Sequence, residues 1–324
     1  MTSVPAEPVT GFGTVTAMPD LPDGFLDRFR SHRYDLGEVT LHAVTGGSGP
    51  AVLLVGGWPQ FWWQWRKVML PLAEHFSVVA VDPRGVGRSD KPETGYDSAT
   101  AAGDLARLMT ALGHDRFRLV GHDVGMMLSY ALASDHPSRV TRLVLAEAAL
   151  PGISDDPGAV PAAGRPVEAT WHFMFNRLAT VNEELVRGRE DIYYRDQFAV
   201  KGATPTAMPK HVVDVYVDAL RAPGALHASF QYYRALDATI AQNRARVRAA
   251  LPMPVLAVGG AAFRGAAVAR DVRRVAADVT ELVIEGCGHY APEEAPEALT
   301  SAMLSFFAGS MGSTGSTRST GGSA

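Results

Sequence analysis

An α/β fold with a mostly parallel central sheet is predicted by two features of this 324-residue sequence. Short apolar runs of strand length recur along the chain, and amphipathic segments with helical spacing, such as residues 98–113 and 265–278, separate most of them. Strands that alternate with helices favour a parallel sheet covered by helices on both faces. The runs predicted to be strands are 40–44, 51–56, 77–82, 116–122, 140–147, 254–260 and 280–286.

The alternation stops between about residues 152 and 240, where Pro and Gly punctuate a long, aromatic-rich, helix-like stretch. No strand pattern returns before residue 254, which favours a helical insertion, or cap, that projects over the edge of the sheet. The predicted organisation is an N-terminal arm (1–24), a core formed by 25–151 and 241–308, a helical cap (152–240) and a flexible tail (309–324). The tail is a Gly/Ser/Thr tract, a composition typical of flexible linkers.

Composition and charge narrow the functional classes. Hydrophobic residues make up 47% of the chain and charged residues 20%, with five Trp, which is enough for a sizeable core. The net charge of −4, without a basic cluster, argues against nucleic acid and against an anionic membrane surface as partners. Cys287 is the single cysteine, which excludes an internal disulfide and disfavours a thiolate metal site. We expect neither a metal nor a cofactor.

The N-terminal sequence MTSVPAEPVTGFGTV lacks a charged start followed by an apolar stretch, so no signal peptide is expected. No apolar run approaches the length that spans a bilayer. These features predict a cytoplasmic protein. A homodimer is compatible with the sequence, which does not specify the oligomeric state.

The segment Gly121-His122-Asp123-Val124-Gly125 has the form G-x-nucleophile-x-G between a predicted strand and a predicted helix. This is the nucleophile elbow of α/β-hydrolases, with Asp123 where serine is usual. The helix that begins at Val124 directs its N-terminal dipole at Asp123 and favours the ionised carboxylate. A carboxylate needs no activating base and suits displacement at an sp3 carbon, which gives an alkyl ester. Alone, Asp123 is equally compatible with an ordinary helix N-cap.

Two further residues are candidates to hydrolyse such an ester. His289 follows the last predicted strand and precedes the last predicted helix, a position from which it can deprotonate the attacking water. After the penultimate strand no acid precedes Asp271, which lies inside a predicted helix, so the acid that orients His289 must come from elsewhere. Glu147, at the end of the strand after the elbow strand, is our candidate. Asp82, at the end of another strand, is the alternative, although its loop resembles a structural turn.

Backbone donors for the oxyanion of the hydrolytic step are predicted at two places. One is the N–H of Val124, and the other is the N–H of Trp58 in the loop that follows the strand 51–56. A cis peptide bond between Trp58 and Pro59 would fit this tight loop.

Over roughly residues 25–308 these features resemble the epoxide hydrolases of the α/β-hydrolase fold. That family has an H-G-x-P loop followed by an aromatic cluster and W-R, and here 56-GGWP-59 precedes 62-WWQWR-66. The elbow, the loop 81–92 and a terminal G-x-G-H-x-x-x-E-E also have counterparts. Some members place the acid where Glu147 stands. Gly56 departs from the family's histidine, which braces the loop, so the resemblance leaves the geometry of the oxyanion donors open.

The resemblance also implies two cap groups that hydrogen-bond the epoxide oxygen as the ring opens. Tyr233, in 230-FQYYRALD-237, matches the family's tyrosine, and His172, in 171-WHFMFNR-177, matches the histidine that a subset uses. The implied activity is cofactor-independent hydrolysis of a small apolar epoxide by water to a vicinal diol. The substrate pocket is predicted to be apolar and lined by Trp63, Met127, Trp171 and Phe173.

Two other functions stay open. Dehalogenases share the scaffold and the Asp nucleophile, but haloalkane dehalogenases place Trp directly after the nucleophile, where this chain has Val124. Fluoroacetate dehalogenases carry arginines after the nucleophile and Trp after the cap histidine, where this chain has 124-VGMM-127 and Phe173. The other alternative is a degenerate homologue that only binds a ligand, although the presence of all five expected side chains argues against it.

Overall fold

The computed structural model describes residues 6–155 and 170–309. Nine strands in this part of the chain form one sheet, and seven of them lie within two residues of the predicted runs. The strands are β1 (Ala6–Pro8), β2 (Phe29–Asp35), β3 (Thr40–Gly46), β4 (Ala51–Val55), β5 (Ser77–Asp82), β6 (Phe117–His122), β7 (Val140–Ala146), β8 (Val255–Gly260) and β9 (Val279–Ile284). The predicted α/β fold class is confirmed.

The strand order is β1-β2-β3-β5-β4-β6-β7-β8-β9. The pairs that join β1, β2, β3 and β5 are antiparallel, and every pair from β5 through β4 to β9 is parallel. The parallel strands therefore all end at the same edge of the sheet. In open sheets of this kind the ligand site lies in the crevice outside the carboxyl ends of the strands.

Strands β1 and β2 were not predicted. The β2 sequence FRSHRYD is rich in charged side chains, and its buried residues Phe29, Ser31 and Tyr34 do not alternate strictly, so the sequence shows no clear strand pattern there. Strand β2 pairs with β3 along its whole length, and β1 pairs with β2 at the sheet edge. The segment predicted as an N-terminal arm therefore contributes a short edge strand.

The helices of the described residues cover both faces of the sheet and its carboxyl edge. They are α1 (Phe25–Arg28), α2 (Arg66–Ala73), α3 (Ser98–Ala111), α4 (Val124–Asp135), α5 (His172–Asn176), α6 (Val181–Val186), α7 (Glu190–Lys201), α8 (Lys210–Leu220), α9 (Ala225–Arg234), α10 (Leu236–Arg246), α11 (Ala267–Val272), α12 (Ala291–Glu294) and α13 (Pro296–Ala308). Two short 3-10 helices span Val15–Ala17 and Trp62–Trp65.

Local sequence signals explain where some of these helices begin and end. The carboxylate of Asp97 accepts a hydrogen bond of 3.1 Å from the N–H of Thr100, which caps α3 at the predicted start. Helix α11 is shorter than the segment 265–278 predicted for it. None of the helices in residues 6–155 and 170–309 has the length and apolar character of a membrane span.

Helices α5–α10 lie between β7 and β8, where a helical insertion was predicted. Residues 170–250 contain no strand, in agreement with the missing strand pattern of the sequence. Residues 156–169 of the predicted cap and residues 310–324 of the predicted tail lie outside the described residues. The loops after β4, β6, β7 and β9, together with helices of the insertion, bring the candidate residues together.

Candidate active site

Asp123 lies at a sharp turn between β6 and α4. Its backbone has φ 54° and ψ −122°, a conformation that residues with a side chain rarely adopt. A side chain at Gly121 would collide with the carbonyl oxygen of Gly125, and one at Gly125 would collide with that of Val55. The small residues around Asp123 therefore have the steric origin expected of a nucleophile elbow.

The Asp123 carboxylate is held at both oxygens. Oδ1 accepts a hydrogen bond of 2.7 Å from the N–H of Trp58, and Oδ2 lies 3.2 Å from Nε2 of His289. Val124 opens α4, where helical N–H groups lack intrahelical acceptors. Burial alone raises the pKa of Asp123, but the hydrogen bond and charge of His289 and the charge of Lys201 outweigh it and hold the pKa well below its usual range. The carboxylate is therefore ionised at neutral pH.

His289 lies between the nucleophile and the acid, in the loop that joins β9 to α12. Its Nδ1 is 3.4 Å from Oε2 of Glu147. Its backbone N–H donates to the carbonyl of Lys201 at 2.9 Å, and its carbonyl accepts from Nε2 of His122 at 2.7 Å. Burial lowers the pKa of His289, but the hydrogen bonds with Asp123 and Glu147 prevail and raise it. The ring thus presents Nε2 to one carboxylate and Nδ1 to the other.

Glu147 directly follows β7, with a backbone φ of 59°. Its Oε1 accepts a hydrogen bond of 2.6 Å from the N–H of Gly260, at the end of β8, while Oε2 faces His289. Burial raises the pKa of Glu147, and the interaction with His289 opposes this rise. No acid was found in the sequence directly after β8. The backbone N–H of Gly260 in β8 instead binds Glu147, the acid that follows the neighbouring strand β7.

Asp82, the alternative acid, faces a different histidine. Its Oδ1 accepts from the N–H of Trp62 at 2.8 Å. Its Oδ2 lies 2.8 Å from Nδ1 of His42 and accepts from the N–H of Arg88 at 3.1 Å. These bonds tie β5 to β3 and to two loops, so Asp82 has a structural environment.

His172 and Tyr233 approach the carboxylate from the helical insertion. His172 begins α5, and Tyr233 is the penultimate residue of α9. The His172 ring stacks on Trp58, with centroids 5.3 Å apart and an interplanar angle of 7°. Tyr233 meets both rings edge-on, at 5.4 Å from Trp58 and 5.5 Å from His172. Burial, with the charge of Asp123, holds the pKa of Tyr233 well above its usual value, so the phenol is neutral.

A buried lysine that no motif indicated lies beside this pair. Lys201 ends α7 and is 2% exposed. Its Nζ lies 3.2 Å from Nε2 of His172 and 4.8 Å from the centre of the Trp58 ring. Burial lowers the pKa of Lys201 to about 8, although the charges of Asp123 and Asp196 oppose the fall. Burial and the charge of Lys201 also hold the pKa of His172 well below its usual value.

Helical spacing is the signal that would have revealed Lys201. Tyr194, Phe198 and Lys201 stand at positions i, i+4 and i+7 of α7, and all three are buried. A lysine on the buried face of an amphipathic helix is unusual, because an ammonium group loses hydration there.

Two of the four residues assigned to the substrate pocket line a small cavity next to Tyr233. Met127, from α4, and Phe173, from α5, form part of its wall, and the cavity holds about 20 Å³. That space corresponds to about one water molecule. The room next to Tyr233 is therefore narrow and mostly apolar.

The other two, Trp63 and Trp171, do not line this cavity. The Nε1–H of Trp63 donates to the carbonyl of Pro19 at 3.0 Å, and the guanidinium of Arg66 lies 3.6 Å above its ring. These contacts hold Trp63 in the core below the loop that carries Trp58. Trp171 packs against Tyr193 in the insertion, with ring centroids 5.6 Å apart.

The end of α7 is joined to the histidine loop by further hydrogen bonds, besides the backbone bond from His289. The hydroxyl of Tyr290 donates to the carbonyl of Gln197 at 3.1 Å. One carboxylate oxygen of Glu294 accepts from the N–H of Ala203 at 2.8 Å and from that of Gly288 at 3.0 Å. The general base candidate and the last turn of α7 therefore form one connected unit.

Gly56 stands where the resemblance leads one to expect a bracing histidine. A Cβ at this position would collide with Nε2 of the buried Gln64, so Gln64 fills the space that a larger side chain would need. The Trp58–Pro59 bond is cis, and the Trp58 N–H still reaches Asp123.

Cys287 is buried, and burial raises the pKa of its thiol to about 12, so it is a poor nucleophile. Within residues 6–155 and 170–309, no group of three or more His, Cys, Asp or Glu side chains is arranged to hold a metal ion.

The elbow aspartate, the histidine after the last strand and the helical insertion define an α/β-hydrolase. The chain belongs to the alpha/beta hydrolase fold family, whose match covers residues 50–296.

Named relatives refine this assignment. The chain is 33% identical to the soluble epoxide hydrolase of Corynebacterium sp. (strain C12) over 285 residues, which is 86% of this chain and 96% of the relative. It is 34% identical to a fluoroacetate dehalogenase of Burkholderia sp over 215 residues, 64% of this chain and 69% of the relative. The crystal structure of wild-type Cfl2 from Burkholderia cenocepacia is similar with a TM-score of 0.82 and 38% identity, covering 86% of this chain and 96% of that chain. The resemblance to epoxide hydrolases is confirmed.

Proposed function

We propose that this protein hydrolyses a small epoxide to a vicinal diol through a covalent ester on Asp123. The observation that carries the proposal is the ionised carboxylate at the elbow, with the Trp58 N–H on Oδ1 and His289 beside Oδ2. The similarity to a soluble epoxide hydrolase over 86% of the chain supports the choice of substrate class.

In the first step Oδ2 of Asp123 attacks an epoxide carbon and the ring C–O bond breaks. The negative charge then moves from the carboxylate to the ring oxygen. Tyr233 and His172 lie on the cap side of Trp58, and both are neutral side chains that can donate a hydrogen bond to that oxygen. Donors placed where charge develops stabilise the transition state most.

In the second step His289 takes a proton from water, which attacks the carboxyl carbon of the ester. Nε2 of His289, which lies 3.2 Å from Oδ2 of Asp123, is the ring atom placed to take that proton. The oxyanion forms at Oδ1, which already accepts a hydrogen bond from the N–H of Trp58. The N–H of Val124, at the start of α4, is the second donor that we assign to it. Glu147 stabilises the imidazolium that forms.

Formation of the ester prepares His289 for this role. In the free enzyme the Asp123 carboxylate is one of the groups that raise the pKa of His289. Esterification removes that negative charge, so the pKa of His289 falls and the neutral, basic form gains population.

The test is to trap the ester. Replacing His289 by Gln leaves the nucleophile in place and removes the base, so mass spectrometry should find the protein increased by the mass of the epoxide on Asp123. A single turnover of the wild-type enzyme in 18O-water should place heavy oxygen in Asp123 first, because water attacks the carboxyl carbon. Label that enters the diol directly, with none in the protein, would reject the mechanism.

Dehalogenation is the second candidate, favoured by the similarity to a fluoroacetate dehalogenase and by the buried ammonium of Lys201 next to His172. The stretch 124-VGMM-127 and Phe173, which stand where the arginines and the tryptophan of fluoroacetate dehalogenases are expected, argue against it. The same His289→Gln trap, offered styrene oxide, phenethyl bromide and fluoroacetate in parallel, decides between the two. Faster ester formation with either halogenated compound would favour dehalogenation.

A further inference from the structure

We propose that Lys201 supplies, through His172, the proton that the epoxide oxygen takes up when the ring opens. This inference rests on the proposed function of the site. It assigns a role to a buried cation that the elbow, the base and the acid do not require.

The donors and acceptors of Lys201 and His172 fix the direction of proton transfer, from Lys201 to His172. An ammonium group has three donors and no acceptor, so the contact of 3.2 Å requires Nε2 of His172 to accept from Nζ of Lys201. A neutral imidazole that accepts at Nε2 carries its hydrogen on Nδ1. Nδ1 of His172 is buried and has no partner among the described residues. The ring thus holds a buried N–H donor that a substrate oxygen can engage.

The change in charge when the ring opens also favours transfer of a proton from Lys201. In the free enzyme the charge of Asp123 raises the pKa of Lys201 and so stabilises its ammonium form. After alkylation Asp123 is a neutral ester, and the compensating negative charge lies on the ring oxygen instead. An alkoxide is far more basic than an amine, so transfer of the proton from Lys201 neutralises both charges in a site where isolated charges are costly.

The two steps balance in protons. In ring opening, Asp123 gains a C–O bond, the epoxide loses one, Nδ1 of His172 gives its proton to the oxygen, and Nε2 receives one from Lys201. In hydrolysis, His289 takes a proton from water and returns it to the departing diol oxygen. The regenerated Asp123 is first a carboxylic acid, and its proton returns through His172 to Lys201. The sum is epoxide plus water to diol.

The pH dependence follows from the charge states of the groups around Lys201. Its pKa of about 8 means that the ammonium form is lost as the pH rises through that value. Asp123 stays ionised and His172 stays neutral, because their pKa values are held low. His289 has a raised pKa and can add a second change near neutrality. Besides these neighbours, Asp196 on α7 raises the pKa of Lys201, and His122, whose pKa is lowered to about 4, is neutral.

The test measures ester formation with styrene oxide by rapid quench and mass spectrometry, in wild type, Lys201→Met and the control Lys210→Met, an exposed lysine on α8. Loss of a general acid typically costs 100- to 10,000-fold, so we expect ester formation in Lys201→Met to slow by roughly 100-fold. We expect the wild-type rate of ester formation to decline above about pH 8, and this decline should be absent in Lys201→Met. Ester hydrolysis should change little in either variant, because the backbone carbonyl of Lys201 that binds His289 remains.

The double variant Lys201→Met/His172→Phe separates a relay from a direct role of lysine. Members of one relay are not additive, so the double variant should be no slower than the slower single variant by more than about threefold. If the rate losses of the two single variants multiply in the double variant, the relay is wrong. An unchanged rate of ester formation, or an unchanged pH profile, in Lys201→Met would also overturn it. If the wild type forms no ester with styrene oxide or any other epoxide, the proposed function fails, and with it this inference. Normal ester formation in wild type with an unaffected Lys201→Met rejects the inference alone.

Discussion

The two sides of the candidate site are built in different ways. On the sheet side, Asp123 and Glu147 directly follow parallel strands, both with positive φ, and backbone N–H groups hold their carboxylates. On the cap side, His172, Lys201 and Tyr233 extend from three separate helices and meet around the indole of Trp58.

This difference suggests a division of the chemistry. Backbone hydrogen bonds fix the sheet side, which contains the proposed base and acid of ester hydrolysis. Ring packing arranges the cap side, which contains the donors needed to open an epoxide. Variants of Glu147 and His289 should therefore slow ester hydrolysis, and variants on the cap side should slow ester formation.

The largest of these effects is expected for Glu147→Gln. Loss of the acid that orients a catalytic histidine costs about 10,000-fold in a well-studied protease, and we expect ester hydrolysis to slow by roughly 1000-fold here. Ester formation should change by less than about threefold. Rapid-quench measurement of both steps checks this, with Asp82→Asn as the matched control. An effect on hydrolysis from Asp82→Asn, with Glu147→Gln within about twofold of wild type, would show that the acid is wrongly assigned.

The pH profile of ester hydrolysis in Glu147→Gln is an independent test of the same assignment. Glu147 helps to raise the pKa of His289, so its neutralisation should lower that pKa. His289, the proposed base, can take a proton only when it is neutral. The low-pH limb of ester hydrolysis should therefore move to lower pH in Glu147→Gln, even though the maximal rate falls. A limb that moves to higher pH would contradict the assigned charge pair.

A smaller effect, on the other step, is expected for Tyr233→Phe. Loss of one oxyanion-type donor typically costs 100- to 1000-fold, and His172 can compensate in part, so we expect ester formation to slow by roughly 100-fold. Ester hydrolysis should be unchanged, and the double variant with His172→Phe should abolish alkylation. Tyr232→Phe is the matched control, since the Tyr232 hydroxyl donates to the carbonyl of Arg84 at 2.8 Å. Slower hydrolysis in Tyr233→Phe would break the division between the two sides.

The smallest effect concerns the loop on the sheet side. Gly56→His would place a side chain where the buried Gln64 lies, and overpacking of this kind typically costs about 1–3 kcal/mol. Gln64→Ala in the same chain removes the obstacle, so the double variant should recover part of the lost stability. Urea unfolding of the single and double variants measures this. If Gly56→His alone is as stable as the wild type, the loop tolerates the family's histidine and Gln64 is not its substitute.

The sequence predicted the two sides to different extents. The strand ends that carry Asp123, Glu147 and His289 could be located because parallel strands align their carboxyl ends and the motifs fall on them. The cap side has no such rule, since contacts between helices depend on packing that spacing does not encode. His172 and Tyr233 came only from family resemblance, and Lys201 was missed.

The hydrogen bonds between α7 and the loop that carries His289 limit how the insertion can move to admit substrate and release product. If the insertion swung away at that end, the N–H of His289 would lose the carbonyl of Lys201, and the base would lose its alignment at each opening. That end is therefore suited to serve as the fixed side of any opening motion. Helix α5 meets the loop of Trp58 through the ring contact of His172, which can slide without leaving a backbone group unpaired. We expect diol to depart on that side, between Phe173 and Met127, while the base stays in register for the next turnover.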